Sequence, residues 1–264
     1  MIFDNKTIWI TGASSGIGEA CAYLLAKENA NLILTALEAN KLEEIQKKCL
    51  ATGGKCEILP YDLSDIEGIP SLVETALLFF GRIDIMFNNA GISQRAKAGE
   101  TLFEVDKKIM DINFFAPVRI SKLLISKMLE NGGGTFVTTT SISGRFGFPL
   151  RSAYCASKHA LYGFFETIHA EYYHQNIRCV MVCPGRVKTN ISFYALEKNG
   201  EQHGKMDAGQ AHGISVEKAA KKIVRAIRMQ KSEQLVGGKE LVMVYIKRFI
   251  PALCRKLVRK IRNV

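Results

Sequence analysis

Thr7-Ile8-Trp9-Ile10-Thr11 is a short apolar run suited to a buried strand. It leads directly into Gly12-Ala13-Ser14-Ser15-Gly16-Ile17-Gly18 and then an amphipathic stretch that reads as a helix to about Asn29. A strand, a glycine turn and a helix start in that order make an anion site. The glycines let the backbone approach a pyrophosphate, and the helix N-terminus offers free N–H groups at the positive end of its dipole. The spacing is Gly-x-x-x-Gly-x-Gly, which differs from the common Gly-x-Gly-x-x-Gly fingerprint. Gly12, Ser14, Ser15, Gly16, Ile17 and Gly18 are therefore the first candidates for holding a dinucleotide.

The same alternation continues along the chain. Strands are expected at 31–36, 56–61, 83–87, 135–140 and 178–183 and near Leu235, and helices at 41–50, 66–80 and 215–229, the last capped by Ser215. A single long helix is expected from about Leu102 to Glu130, with Asn113 and Pro117 marking a kink where freed backbone groups need partners. Strand alternating with helix argues an α/β fold, a Rossmann-type doubly wound parallel sheet of about seven strands with helices on both faces. At 264 residues the chain suits one domain. The expected division is 1–238 for that domain, with a polar, glycine-containing lid at about 190–214, followed by an extension over 239–264.

Tyr154 and Lys158 stand four apart in a helical run and leave the same face. A phenol is a poor acid or base at neutral pH, but a neighbouring cation favours the phenolate and lowers its pKa, so Tyr154 becomes a candidate proton donor or acceptor. Ser141 follows a strand and can reach the same pocket. Elsewhere two readings stand side by side. Asn89, Ala90 and Gly91 at a strand end would let a flat ring lie against backbone, or simply make a turn. Asp62, followed by Leu63, would accept from an adenine amino group or cap the next helix. Glu38 would meet a ribose or sit in solvent. Ala36 and Leu37 supply neither the acid that NAD wants nor the arginine that NADP wants.

Seven cysteines, an odd number without a Cys-x-x-Cys pair, suggest reduced thiols in a reducing compartment and no zinc site. Met1–Lys6 runs into the first strand without a charged-then-apolar leader, and no apolar run reaches the roughly 18 residues of a spanning helix. The expectation is a cytoplasmic protein, peripheral at a membrane at most. Of the net charge of +11, residues 239–264 carry eight Lys/Arg against Glu240. Leu253, Leu257, Val258 and Ile261 form an apolar stripe there, with Arg255, Lys256, Arg259, Lys260 and Arg262 beside or opposite it. Such a helix suits an anionic membrane surface through residues 249–264, or packs on protein with its basic face in water. Aromatic residues are too sparse among these charges for nucleic-acid binding.

Taken together, Thr11–Gly18, Asn88–Gly91, Asn113, Ser141, Tyr154-x-x-x-Lys158 and Pro184-Gly185 resemble the short-chain dehydrogenase/reductase family in order and spacing. The resemblance implies that Tyr154 is the acid/base and that Lys158 lowers its pKa and binds the nicotinamide ribose. It implies that Ser141 orients the carbonyl, that Asn113 supports a relay water, and that Pro184, Gly185, Val187 and Thr189 contact cofactor. A homo-oligomer, dimer or tetramer, is implied as well. A narrower resemblance, through Gly91–Arg95, Arg151–Ala160, Thr189–Ser192 and Met206-Asp207, is to the membrane-associated dehydrogenase/reductase member 7 group. Those relatives are carbonyl reductases for retinoids, steroids or acyl/alkyl-dihydroxyacetone phosphate and tend to use NADPH. The chain departs from them in lacking an N-terminal apolar anchor and in having Leu37 where they carry arginine. NADP(H) is favoured over NAD(H) because Ala36 removes the acid. Phe146, Phe148, Pro149, Leu150, Phe193 and Tyr194 point to a small lipophilic carbonyl or alcohol substrate, or to lid packing or a dimer contact. The other readings are an inactive dinucleotide-binding sensor or scaffold and, with a different glycine spacing, a sugar-nucleotide dehydratase or epimerase.

Overall fold

The apolar runs become seven strands in the computed structural model, which describes residues 2–261. In chain order the elements are β1 (Thr7–Thr11), α1 (Gly16–Ala26), β2 (Asn31–Thr35), α2 (Ala39–Leu50), β3 (Lys55–Ile58), α3 (Ile69–Phe80), β4 (Ile85–Asn88), α4 (Phe103–Met110), α5 (Ala116–Glu130), β5 (Gly134–Thr139), α6 (Ser152–Tyr172), β6 (Ile177–Pro184), α7 (Ala208–Ala211), α8 (Val216–Arg228), β7 (Glu233–Val236), α9 (Val242–Phe249) and α10 (Pro251–Val258). The strands lie in the order β3-β2-β1-β4-β5-β6-β7 and every neighbouring pair is parallel. The order reverses between β1 and β4, and in such sheets ligands bind in the crevice outside the carboxyl ends of the strands at that point. The doubly wound parallel sheet expected from the alternation is the observed fold.

Period-two alternation sends each strand's side chains to two cores. Ile8, Ile10, Leu32, Leu34, Val137 and Val180 pack with the apolar faces of α1, α2 and α8. Trp9, Ile33, Met86, Phe136 and Met181 pack on the other face against α3, α5 and α6. Both faces being covered explains why the strands read as continuous apolar runs.

Two expected helices differ from the observed ones. The helix read from Ile66 begins at Ile69, because Pro70 has no N–H to give and fits only in a first turn. The long helix read from Leu102 is two helices, α4 and α5, joined by a π-helical turn over Asp111–Phe115. Pro117 cannot bond the carbonyl of Asn113 four residues earlier, and the wider turn accommodates that loss.

Residues 239–258 return to the domain. Cys254 is buried with Ile142, Phe146 and Cys183, and Met243, Val244, Ile246 and Val258 pack on that cluster. The apolar stripe read from the sequence is thus divided: Val258 and Leu257 are partly covered, while Leu253 is exposed together with Val242, Tyr245, Phe249 and Ile250. Arg262 lies outside the described residues. Among the described residues, no helix is long and apolar enough to cross a membrane.

Candidate active site

A cleft of about 410 Å3 opens at the carboxyl ends of β1, β2 and β4. Gly12, Ser14, Ser15, Gly16 and Ile17 form one side, Ala36, Leu37, Glu38, Asp62 and Leu63 the far end, and Asn89, Ala90, Gly91 and Thr189 the floor and opposite lip. Gly12 has φ 64°, and a Cβ there would come within 2.7 Å of the Ala90 Cα, so only glycine lets the two loops touch. Ser15 occupies the N-cap of α1 without a side-chain cap, which leaves the first N–H groups of the helix for a ligand anion. A free helix start beside a backbone floor of small residues fits a dinucleotide pyrophosphate.

Of the residues expected to contact cofactor, some line this surface and others support it from behind. Gly18 packs against the Gly12 carbonyl and the Asn89 amide, which fixes the turn. Asn89 Nδ2 donates to the carbonyls of Thr11 and Gly12 at 3.1 and 3.2 Å, tying β4 to the glycine turn. Val187 is buried and bridges to Ile214, and Gly185 packs against Glu240. Asp62 both lines the cleft and accepts from the N–H and hydroxyl of Ser64, at 2.9 and 2.8 Å. Glu38 accepts from the Ser14 hydroxyl at 2.9 Å. Burial pushes its carboxyl up, but hydrogen bonds from Ser14 and Lys41 hold it below its usual range.

Ser141, Asn113, Tyr154 and Lys158 are all buried and gather behind Gly91 and Thr139, which line the cleft, rather than lining it themselves. Helical spacing brings the Lys158 ammonium within 5.8 Å of the Tyr154 ring centre. The ammonium donates to the Thr139 carbonyl at 2.8 Å. Gly91 lies between it and Asn113: a Cβ on Gly91 would sit 3.2 Å from Lys158 Nζ and 3.1 Å from Asn113 Oδ1. In the π-helical turn, Asn113 Oδ1 accepts from the Ile92 N–H at 2.9 Å, and Nδ2 donates to the Ile92 carbonyl at 2.9 Å and to Ser157 Oγ at 3.1 Å. The carboxamide therefore pins the strip after β4 against α6, so Asn113 serves the backbone of Ile92 rather than the backbone groups freed at its own kink.

Electrostatics at Tyr154 differ from the sequence expectation. Burial raises the phenol pKa above its ordinary value, opposed by a hydrogen bond from Ser141 and by the charges of Arg151 and Arg95. Burial also pushes the Lys158 ammonium down to about 8. Desolvation wins because both groups lie in the interior and the charged form of each loses its water.

Gln94, Arg95, Arg151 and Asp207 entered the sequence reading only as letters of a narrower resemblance. Gln94, fully buried, accepts from the Ala153 N–H at 2.9 Å and donates to Thr101 Oγ at 2.9 Å. It thereby serves the N-terminus of α6, which Arg151 leaves without a side-chain cap. The only signal for Arg95 and Asp207 was opposite charge at a separation of 112 positions, which no local pattern reveals. Of the aromatic residues expected around a pocket, Phe146 is packed into the core, Tyr194 lines the cleft, and Phe193 is exposed beside it. Ile92, Ile112, Ile191 and Leu196 complete an apolar wall.

Residues 6–200 match the family model described as short chain dehydrogenase. The dehydrogenase/reductase SDR family protein 7-like of Drosophila melanogaster is 35% identical over 254 residues, 94% of this chain and 78% of that protein. A short chain dehydrogenase/reductase from Burkholderia phymatum, solved in complex with NAD, superposes with a TM-score of 0.85 at 23% identity, covering 96% of each chain. An alcohol dehydrogenase from the archaeon Thermococcus sibiricus, complexed with 5-hydroxy-NADP, superposes with a TM-score of 0.77 at 25% identity, covering 89% of this chain and 97% of that one.

Proposed function

The chain belongs to the short-chain dehydrogenase/reductase family, and from that premise we propose that it is an NAD(P)(H)-dependent oxidoreductase interconverting a carbonyl and an alcohol on a small lipophilic substrate. The observation that carries this reading is the convergence of a buried phenol, ammonium, hydroxyl and carboxamide beside the glycine-floored cleft. The nicotinamide cofactor supplies the hydride chemistry. The Gly12–Gly18 turn and the start of α1 hold its pyrophosphate, and Asn89, Ala90 and Gly91 offer a flat floor. Ser141 hydrogen-bonds the reacting oxygen, and Tyr154 gives it a proton in reduction or takes one in oxidation. Lys158 and Asn113 flank Gly91 and carry the proton route away from the phenol. A phenol kept protonated by burial is set for reduction at neutral pH, so oxidation should accelerate as pH rises.

NADP(H) is favoured by Ala36, which leaves the end of β2 without a carboxylate. Glu38 opposes that preference, since its ionised carboxyl rims the same part of the cleft. The apolar wall of Ile92, Ile112, Ile191 and Leu196 supports a lipophilic substrate such as an aromatic or aliphatic ketone. A carbonyl-reductase assay with benzil and NADPH tests the reading. Tyr154→Phe is expected to bind NADPH as the native protein does and to lose about 10²–10⁴-fold in turnover; undiminished turnover would remove Tyr154 from the role.

Association with an anionic membrane surface is a separate part of the proposal. Val242, Tyr245, Phe249, Ile250 and Leu253 are exposed on α9 and α10, with Arg248, Arg255 and Lys256 around them.

A further inference from the structure

Beside the acid/base set stands a group of charges that the proposed reaction does not use. Arg95 donates Nη2 to Asp207 Oδ2 at 2.6 Å and Nε to both carboxylate oxygens, at 3.2 and 3.1 Å. Its remaining Nη1 reaches Ser93 Oγ at 2.9 Å and the Gln94 carbonyl at 2.6 Å. Arg151 donates Nη2 to the same Asp207 Oδ2 at 2.9 Å, while its buried Nε has no hydrogen-bond partner. Asp207 comes from the excursion between β6 and α8, where its N–H donates to Ser192 Oγ at 3.2 Å. The excursion is stitched to the same place by backbone: Arg95 N–H donates to Leu196 O at 2.8 Å, and Leu196 N–H to Ser93 O at 2.9 Å.

Two guanidiniums share one carboxylate, so the group keeps a positive charge in the interior. Without the carboxylate they repel each other across a few ångströms of low-dielectric protein. Arg95 is tethered by Ser93 and Gln94, whereas Arg151 holds Asp207 alone and is partly open to solvent. Arg151 is therefore the one that leaves. We propose that Asp207 is a positioning residue of this reaction: brought in on the 190–214 excursion, it clamps Arg151 beside the first turn of α6 and so places a cation next to Tyr154. Seating of the excursion and readiness of the phenol then become one event.

The inference rests on Tyr154 being the acid/base. The groups acting on the phenol are Ser141 from the end of β5, Arg95 from the strip after β4, Arg151 at the N-cap of α6, and Cys155 and Lys158 from α6 itself. Asp207 and His203 act from the excursion through the arginines. Both guanidiniums favour the phenolate. The test is an ultraviolet titration of phenolate absorbance, each variant measured against the same variant carrying Tyr154→Phe, so that Tyr154 alone appears in the difference. Asp207→Asn should move the Tyr154 midpoint upward, cutting phenolate at fixed pH by about tenfold. Arg151→Gln should do the same, the double variant should add little to either, and Asp207→Glu should restore most of the native midpoint. An unchanged midpoint in Arg151→Gln would overturn the proposal. So would a downward shift in Asp207→Asn, which is what a carboxylate that only opposes the arginines would give. Failure of the acid/base reading shows itself separately, as benzil turnover surviving in Tyr154→Phe, and the titration needs no substrate.

Discussion

Lys158 shows how a single residue can weaken the fold it serves. Its ammonium is buried and its pKa is depressed to about 8. Between that value and the ordinary lysine value the unfolded chain binds more protons than the folded one, so this contribution to stability rises with pH over that window. Below about pH 8 both states hold the proton and the full cost of burying the charge remains. Lys158→Met should therefore raise the unfolding free energy at pH 7 by about 1–4 kcal/mol, the range seen when buried charges give way to apolar groups. Reduction of benzil should be lost in the same variant. Thermal melts from pH 7 to 10 check this, because the native protein should close the gap as pH rises. A gap constant over that range would place the charge elsewhere. The pair Tyr154 and Lys158 was legible in the sequence because helical spacing alone brings them together. The direction of the Tyr154 shift was not, since burial of a side chain belongs to the whole packed interior.

At the scale of elements, α6 begins without a side-chain cap of its own. Gln94, from a different part of the chain, accepts from the Ala153 N–H and links Thr101 to the start of α6. Gln94→Ala leaves a buried donor unpaired and should cost about 1–3 kcal/mol. At roughly 2–4 °C per kcal/mol for a chain of this size, the loss is readable as a lowered Tm. An unchanged Tm would mean that water or another group takes over the N–H. The element pattern of the chain was legible because strands buried on both faces and helices with one apolar face have different periods. The break between α4 and α5 was foreseen as a kink through Asn113 and Pro117. Its π-helical form was not, since it belongs with tertiary contacts such as those of the Asn113 carboxamide with the Ile92 backbone. Gln94 itself gave no sign, because a glutamine in a loop looks the same whether it faces water or a helix end.

For the molecule as a whole, the C-terminal helices have two faces. Cys254 and Val258 pack inward, so removing residues 249–264 would open the cluster around Ile142 and Phe146. Membrane association is better probed on the outward face. Phe249→Ser combined with Ile250→Ser should lower binding to phosphatidylserine-containing vesicles by about tenfold or more, since each buried apolar side chain contributes roughly 1.5–3 kcal/mol. Tm should change little, because both side chains are exposed. An unaltered vesicle-bound fraction would exclude this face. The basic character of the segment was plain from its residues, whereas the choice of which apolar residues turn outward was made by the domain they pack on.

Glu240 ties the loop after β6 to the turn after β7. Its carboxylate accepts from the Arg186 N–H at 2.7 Å and from the Gly238 N–H at 3.0 Å, and Gly185 packs against its side chain. The loop after β6, which the family resemblance assigns to the cofactor, is thus held by a carboxylate 54 positions further along the chain than Arg186. A substitution at Glu240 would therefore loosen that loop while leaving every residue of the glycine turn in place.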